Sequence, residues 1–309
     1  MENKLLVTVS PHIKSPMTTQ KVMLNVLIAL IPAAIASVIL FGWRSLLLIA
    51  VTNISCVLFE TLFNMVTKRP NTTADLSALV TGTLLAMNLP VTLPLWMAVV
   101  GAFVAIVIAK MLFGGLGQNF ANPAILARIV LLISFSTAMT TWAKPLQWLY
   151  GEANTGATPL ASASVMAQTS YLDLFLGNKG GCLGEVSVLA LLLGGLFLIA
   201  RGIITPTIPF TYIATMFAFS WLFGADPVAE ILSGGLMIGA FFMATDYTTS
   251  PFTEKGKIIF GVGLGLITAV IRAFGSYPEG VSFSILLMNI LVPYIDKLTR
   301  TKPFGGVKA

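Results

Sequence analysis

The sequence predicts an all-α integral membrane protein with about ten transmembrane helices. Three observations lead there. Of 309 residues, 56% are hydrophobic and 10% are charged, whereas a water-soluble domain carries about 25% charged residues. Apolar runs recur along the chain at close to the length, about 20 residues, that crosses roughly 30 Å of hydrocarbon. The two halves also share wording. "TGTLLAMNLPVTLP" (81–94) aligns with "IGAFFMATDYTTSP" (238–251), matching Gly82 with Gly239 and Pro94 with Pro251, and "FGGLGQN" (113–119) aligns with "FGSYPEG" (274–280).

Taken in order, "MENKLLVTVSPHIKSPMTTQK" lacks the apolar core of a signal peptide. The first apolar run, from Val22, is long enough to span and stay. Spans are expected at about 22–41, 45–66, 75–89, 93–112, 121–136, 185–202, 206–223, 227–244, 257–274 and 280–298. The third and eighth are short and interrupted by polar residues. Irregular backbone cannot face lipid, so the other spans must shelter those two. The chain divides into a first five-helix repeat (1–136), an extracytoplasmic loop (137–184) and a second five-helix repeat (185–309). Five spans per half invert the second copy, giving a 5+5 inverted repeat. Such repeats place sites near the midplane, between short or broken helices.

The basic residues orient the set. Lys4, Lys14, Lys21, Lys68, Arg69, Lys110, Arg201, Lys255, Lys257, Lys297, Arg300, Lys302 and Lys308 all fall on one side of a ten-span arrangement. Arg44, Lys144, Lys179 and Arg272 fall on the other, and Arg128 lies inside a span. An excess of Lys and Arg marks the cytoplasmic face, so both termini are expected inside and the 137–184 loop outside. The net charge of +6 therefore reads as topology. No basic patch with interleaved aromatics suggests nucleic acid.

Residue scarcity limits the chemistry. Two cysteines, Cys56 and Cys182, and one histidine, His12, cannot build a four-thiolate iron–sulfur cluster or a bis-histidine haem. Nor can they make a zinc site of the usual type. Cys56 reads as a small core residue and His12 as a surface residue near the membrane.

Three groups of residues could carry function. In "NTGATPLAS" (154–162), Thr158 precedes Pro159, which pushes its backbone toward the extended region. Gly156 and Ala157 leave its hydroxyl sterically open, as suits a threonine modified by another enzyme; a plain turn fits the composition too. In "FGGLGQNFANPA" (113–124), three glycines allow close backbone approach, and Asn122 before Pro123 is a helix cap with proline at the first helical position. Asn119 lies one turn earlier, so the two amides could share a face. The P-loop lysine and hydroxyl residue are missing. Finally, Glu60, Asp75, Glu230 and Asp246 lie near or inside spans, where ionisable groups are functional by default. Asp75 and Asp246 stand near the ends of the two broken spans as ion-pathway candidates, although "NTTAD" also fits a helix start. Arg128 could pair with one of these acids or with an anion.

Assembled in this order, "VSPHIKSPMTTQKVMLNVLIALIPA", "FGGLGQNFANPA", "TGATPLA", "FFMATDYTTSP" and "NILVPYIDKLTRTKPFG" resemble the D subunit of Rnf-type electron-transport complexes, a family that includes the B subunit of the sodium-pumping NADH:quinone reductase. The resemblance covers essentially the whole chain. It implies ten helices in an inverted arrangement similar to urea transporters, in a prokaryotic inner membrane. It implies FMN joined through its phosphate to the second threonine of the Thr-Gly-Ala-Thr motif, here Thr158, by an extracytoplasmic flavin transferase. Thr155 matches the first, unmodified position. Upstream, "EAN" departs from the family's commoner aspartate. The reductase relative also holds riboflavin near two asparagines that match Asn119 and Asn122. The implied function is a subunit, not catalytic alone, of an ion-translocating ferredoxin:NAD oxidoreductase that moves sodium ions or protons. Its implied partners are an outer-face FMN subunit, iron–sulfur subunits and membrane lipid. A transporter or channel of the same architecture, or a scaffold for other subunits, is the alternative reading of the same spans.

Overall fold

The computed structural model describes residues 17–149, 155–156, 158–161, 165–166, 169–275 and 280–301. His12 and Ala157 lie outside the described residues.

Thr18 caps α1 (Thr19–Phe41) by accepting the Lys21 N–H, and Gly42, at φ +76°, turns the chain into α2 (Trp43–Val66). A single 3₁₀ turn, Thr73–Asp75, leads into α3 (Ser77–Met87). After it, α4 (Leu95–Phe103) continues in π-helical geometry over Val104–Met111. The helix α5 (Pro123–Ser134) is capped by Asn122, whose side chain accepts from the N–H groups of Ala124 and Ile125, and the short α6 (Ser136–Met139) follows. An antiparallel bridge joins β1 (Trp142–Ala143) to β2 (Thr155–Gly156). Then come α7 (Tyr171–Leu176), α8 (Val188–Ala200), α9 (Thr207–Leu222) and α10 (Pro227–Leu232). The next helix, α11 (Leu236–Ile238), runs on as a π segment, Gly239–Met243. The last two helices are α12 (Glu254–Phe274) and α13 (Val281–Thr299).

Among the described residues four helices, α1, α2, α12 and α13, are long and apolar enough to cross a membrane. Their outward faces are apolar: Leu24, Ile28, Ile31, Ile35 and Ile39 form an exposed stripe on α1, and Ile54, Leu58 and Leu62 do so on α2. In water such stripes would drive aggregation; in lipid they are the solvent-facing surface. The chain is a multi-pass membrane protein. The shorter apolar helices sit within and between these four. Where α1 crosses α8 the backbones nearly touch, since a Cβ on Gly194 would lie 2.0 Å from the carbonyl oxygen of Ala29. Small residues allow this close approach in membrane helix pairs.

The third and eighth expected spans are indeed short. The 11 residues of α3 rise only about 16 Å at 1.5 Å per residue, half the hydrocarbon depth. The eighth is broken at 233–235 between α10 and α11. The last part of the 137–184 loop does not lie free, because Lys179 and residues 181–188 are buried. Their backbone groups find partners on the end of α3, as Leu183 N–H donates to Leu89 O (3.1 Å) and Gly184 N–H to Met87 O (2.7 Å). A non-helical segment packed into a membrane protein is tolerable only when protein satisfies it in this way.

Helix pairings recur along the chain. As α2 lies on α4 and α4 on α5, so α9 lies on α12 and α12 on α13. In addition, α1 packs on α8 and α5 on α13.

Candidate functional site

The loop carrying Thr158 is pinned at two places. On one side it lies on the α1–α2 turn: Leu146 N–H donates to Leu40 O (2.6 Å), the Trp148 indole N–H donates to Ile39 O (3.1 Å), and the Trp148 ring covers Gly42. On the other it lies on the α10–α11 break, with Leu160 against Gly234 and the Ser233 hydroxyl donating to the Met166 sulfur (3.6 Å). Strand pairing sets Trp142 opposite Gly156 and Ala143 opposite Thr155. The next residue, Lys144, then runs across Gly156, where a Cβ would meet its Cγ at 2.8 Å. Thr158 itself is 7% exposed, so the expectation of an open hydroxyl is corrected. The chain turns back over it in the 3₁₀ turn Pro159–Ala161, and its Oγ accepts the Leu160 N–H at 3.4 Å. A cavity of about 280 Å³ opens beside Pro159, lined by Lys144, Thr169, Asn178 and Lys179.

The helix break is held by cations from elsewhere in the fold. Arg272 on α12 donates to the carbonyls of Glu230 (2.6 Å) and Ser233 (3.1 Å) and pairs with the Glu230 carboxylate (2.8 Å). Lys179 donates to Leu232 O. Carbonyls at a helix end lack intrahelical partners, and these cations supply them; Glu230 O also accepts the Ser233 N–H at 3.4 Å. Arg128 on α5 sits at the crossing of the two halves, donating to Asn88 Oδ1 (2.7 Å) and pairing with Glu185 (2.9 Å). Of the partners expected for Arg128, none of Glu60, Asp75, Glu230 and Asp246 is used; the acid it takes, Glu185, enters on the buried 181–188 segment.

At the other end, Asn119 and Asn122 line one cavity of about 100 Å³ with Ser77, Lys110, Phe241 and Asp246. The asparagines do not share a helix face, because α5 begins at Pro123. Asn119 donates to Ala121 O (3.0 Å) and Asn122 to Met243 O (3.3 Å). Gly114, Gly115 and Gly117 all adopt positive φ, which is the conformational demand the glycine run anticipates. Both π segments border this cavity, and π turns cluster at functional sites. Lys110, on the first, points inward to Glu60 Oε2 (2.8 Å) and Ser77 Oγ (2.5 Å), while Thr72 donates to Glu60 Oε1 (2.6 Å). Asp75 accepts from Ser77 N–H (2.8 Å) and Oγ (2.5 Å). It therefore starts α3 and is absent from the cavity lining. Asp246 does line it. Burial there pushes its carboxyl above the usual range, against hydrogen bonds from Thr248 N–H and the Thr249 and Asn119 side chains.

Residues 6–305 match the NQR2, RnfD, RnfE family. The chain belongs to that family. It is 49% identical over 313 residues, covering 99% of this chain and 97% of the relative, to the D subunit of the Na(+)-translocating ferredoxin:NAD(+) oxidoreductase complex of Acetobacterium woodii. It is 42% identical to the D subunit of the proton-translocating ferredoxin:NAD(+) oxidoreductase complex of Clostridium ljungdahlii, covering 98% and 97%. It is 40% identical to the D subunit of the ion-translocating oxidoreductase complex of Stutzerimonas stutzeri, covering 93% and 92%.

For a member of the NQR2, RnfD, RnfE family, the structure thus gathers Asn119, Asn122 and Asp246 at one end and sets Thr155, Gly156 and Thr158 at the other. Sequence reading missed the roles of Lys110, Lys179 and Glu185. A signal existed for one of them: a lysine inside an apolar stretch, as at 110, requires a buried partner.

Proposed function

We propose that this chain is the D-type membrane subunit of an ion-translocating ferredoxin:NAD(+) oxidoreductase complex, carrying FMN in ester linkage on Thr158. The observation that carries this reading is its end-to-end similarity to proteins named as that subunit. The flavin part rests on the "TGATPLA" resemblance and is supported by the surroundings of Thr158. Pro159, the residue after Thr158, borders a cavity whose lining includes two lysines, and that donor set fits the phosphate end of a flavin nucleotide. When bound, FMN supplies the electron-transfer chemistry. The protein's part is to anchor the loop between the α1–α2 turn and the α10–α11 break, fixing the attachment point. Because Thr158 is buried in the docked loop, a flavin transferase reaches it while the loop is undocked.

The matching helix pairings support a 5+5 inverted repeat, similar to urea transporters. The one-sided basic residues support cytoplasmic termini and an outer flavin loop in a prokaryotic inner membrane. The partners in this reading are an outer-face FMN subunit and iron–sulfur subunits. The ion pathway runs past Asp246 on the inner side, with Asp75 acting through Ser77. Relatives of 49% and 42% identity are named for sodium and for protons respectively, so overall similarity does not choose the ion. Riboflavin near Asn119 and Asn122 fits less well. The cavity of about 100 Å³ is below the roughly 300–1,000 Å³ of usual small-molecule sites, and both amides already have protein partners.

Peptide mass spectrometry of the purified protein tests the reading. The peptide containing Thr158 is expected to carry FMN less water, and Thr158→Ala to remove it completely. An unmodified peptide from a host with an active flavin transferase would sink the flavin assignment.

A further inference from the structure

We infer that Lys144 and Lys179 form an anion subsite that holds the phosphate of the flavin nucleotide on Thr158. This rests on the flavin reading above and adds to it the residues that receive the phosphate.

Both lysines line the cavity beside Pro159, the residue after Thr158. Their positions have separate structural causes. The β1–β2 register carries Lys144 across the motif's glycine, and any side chain at 156 would push it away. Lys179 is fixed from behind by the helix break, through Leu232 O. Among the described residues, neither has a carboxylate within ion-pair distance. Among the described residues, Glu185 is paired with Arg128 at 2.9 Å and Glu230 with Arg272 at 2.8 Å.

Lys179 is 5% exposed. A buried ammonium without an ion-pair contact costs several kcal/mol, and its only hydrogen bond among the described residues is to a neutral carbonyl. Burial and the Arg272 charge draw its pKa down from 10.5 to about 7, opposed by the Glu185 charge. A phosphate ester supplies the missing negative charge and several acceptor oxygens. Lys144 is exposed, so it closes the cavity from the solvent side, while Lys179 meets the ligand from the protein side. The shared chemistry is a phosphate anion, which either the flavin nucleotide or a lipid headgroup could bring. The position next to the attachment threonine favours the first.

The test is amine labelling by reductive dimethylation of the full-length protein at pH 8, read by peptide mass spectrometry. Wild type is compared with Thr158→Ala in the same lipid, with Lys257 as an internal reference. Phosphate pairing restores the protonated, unreactive form, and at pH 8 regaining about two pKa units from about 7 lowers the free-amine fraction about tenfold. Labelling of Lys179 is therefore expected to be about tenfold or more slower in the flavin-bearing wild type, with Lys144 slowed in the same sense. Inorganic phosphate added to Thr158→Ala should restore part of the protection. Equal labelling of the two proteins, with FMN verified on the wild type, overturns the subsite alone. Protection that persists in Thr158→Ala and disappears on delipidation assigns the site to a lipid and also overturns it. A wild type without FMN overturns the flavin reading together with the subsite. A second arm compares flavin content in Lys179→Gln, which keeps a donor for Leu232 O, with Lys179→Arg, which keeps the charge. The arginine variant is expected to retain more flavin, and equal content counts against the proposal.

Discussion

The two ends of the molecule treat buried charge differently. At the Asp246 end, Lys110 and Glu60 are 3% and 0% exposed and lie 2.8 Å apart, with Ser77 and Thr72 filling their remaining positions. At the Thr158 end, Arg128 and Arg272 have acids, but the buried Lys179 has none within ion-pair distance among the described residues. Desolvation makes a lone charge costly at either end. A balanced pair explains itself within the fold. An unbalanced cation beside a cavity calls for a ligand of opposite sign. The contrast therefore separates charges that build the protein from charges that await a partner.

The strongest way to break the comparison is to unbalance the balanced end. Glu60→Ala strands Lys110 and is expected to cost about 3–5 kcal/mol, measured by unfolding in mixed micelles. Adding Lys110→Met should recover most of that loss, since removing both charges leaves no ion to desolvate. A Glu60→Ala cost under about 1 kcal/mol would mean that water reaches Lys110, and the two ends would then not differ in kind.

A smaller effect lies in the pH dependence of the other end. With its folded pKa lowered to about 7 from 10.5, Lys179 binds fewer protons in the folded than in the unfolded chain between those values. Raising the pH through that window therefore adds stability. The window should be seen in Thr158→Ala, whose Lys179 lacks a phosphate, as a rise from about pH 7 to about pH 9 that Thr158→Ala/Lys179→Gln does not share. Identical slopes would show that Lys179 is not the titrating group. The smallest expected change is at the partly exposed pair Lys257–Glu254, 2.7 Å apart on the first turn of α12. Glu254→Gln should alter stability by less than about 1 kcal/mol, because solvent screens such pairs. A larger loss would show that exposure does not grade these interactions.

Much of the fold is legible in the sequence because its signals are local. Apolar runs mark the helices to within a few residues, polar interruptions locate the short α3 and the α10–α11 break, and Asn122 before Pro123 announces the cap of α5. The glycine run 114–117 announces its left-handed turn. The candidate site is legible only as positions. Thr158 can be picked out, but its burial cannot, because that depends on Leu160 meeting Gly234 far along the chain.

Membrane residence, the places of the helices and the motifs all follow from the order of residues. Hydrophobic content and cap chemistry act over one or two helical turns, so they can be read without knowing what lies opposite. Which charges meet is a different matter, visible only in three dimensions. Arg128 takes Glu185 because residues 181–188 enter the core, Lys110 takes Glu60 across α2 and α4, and Lys179 is left with a carbonyl. Those pairings join residues that are 50 or more positions apart, and only long-range packing in a medium without water fixes them.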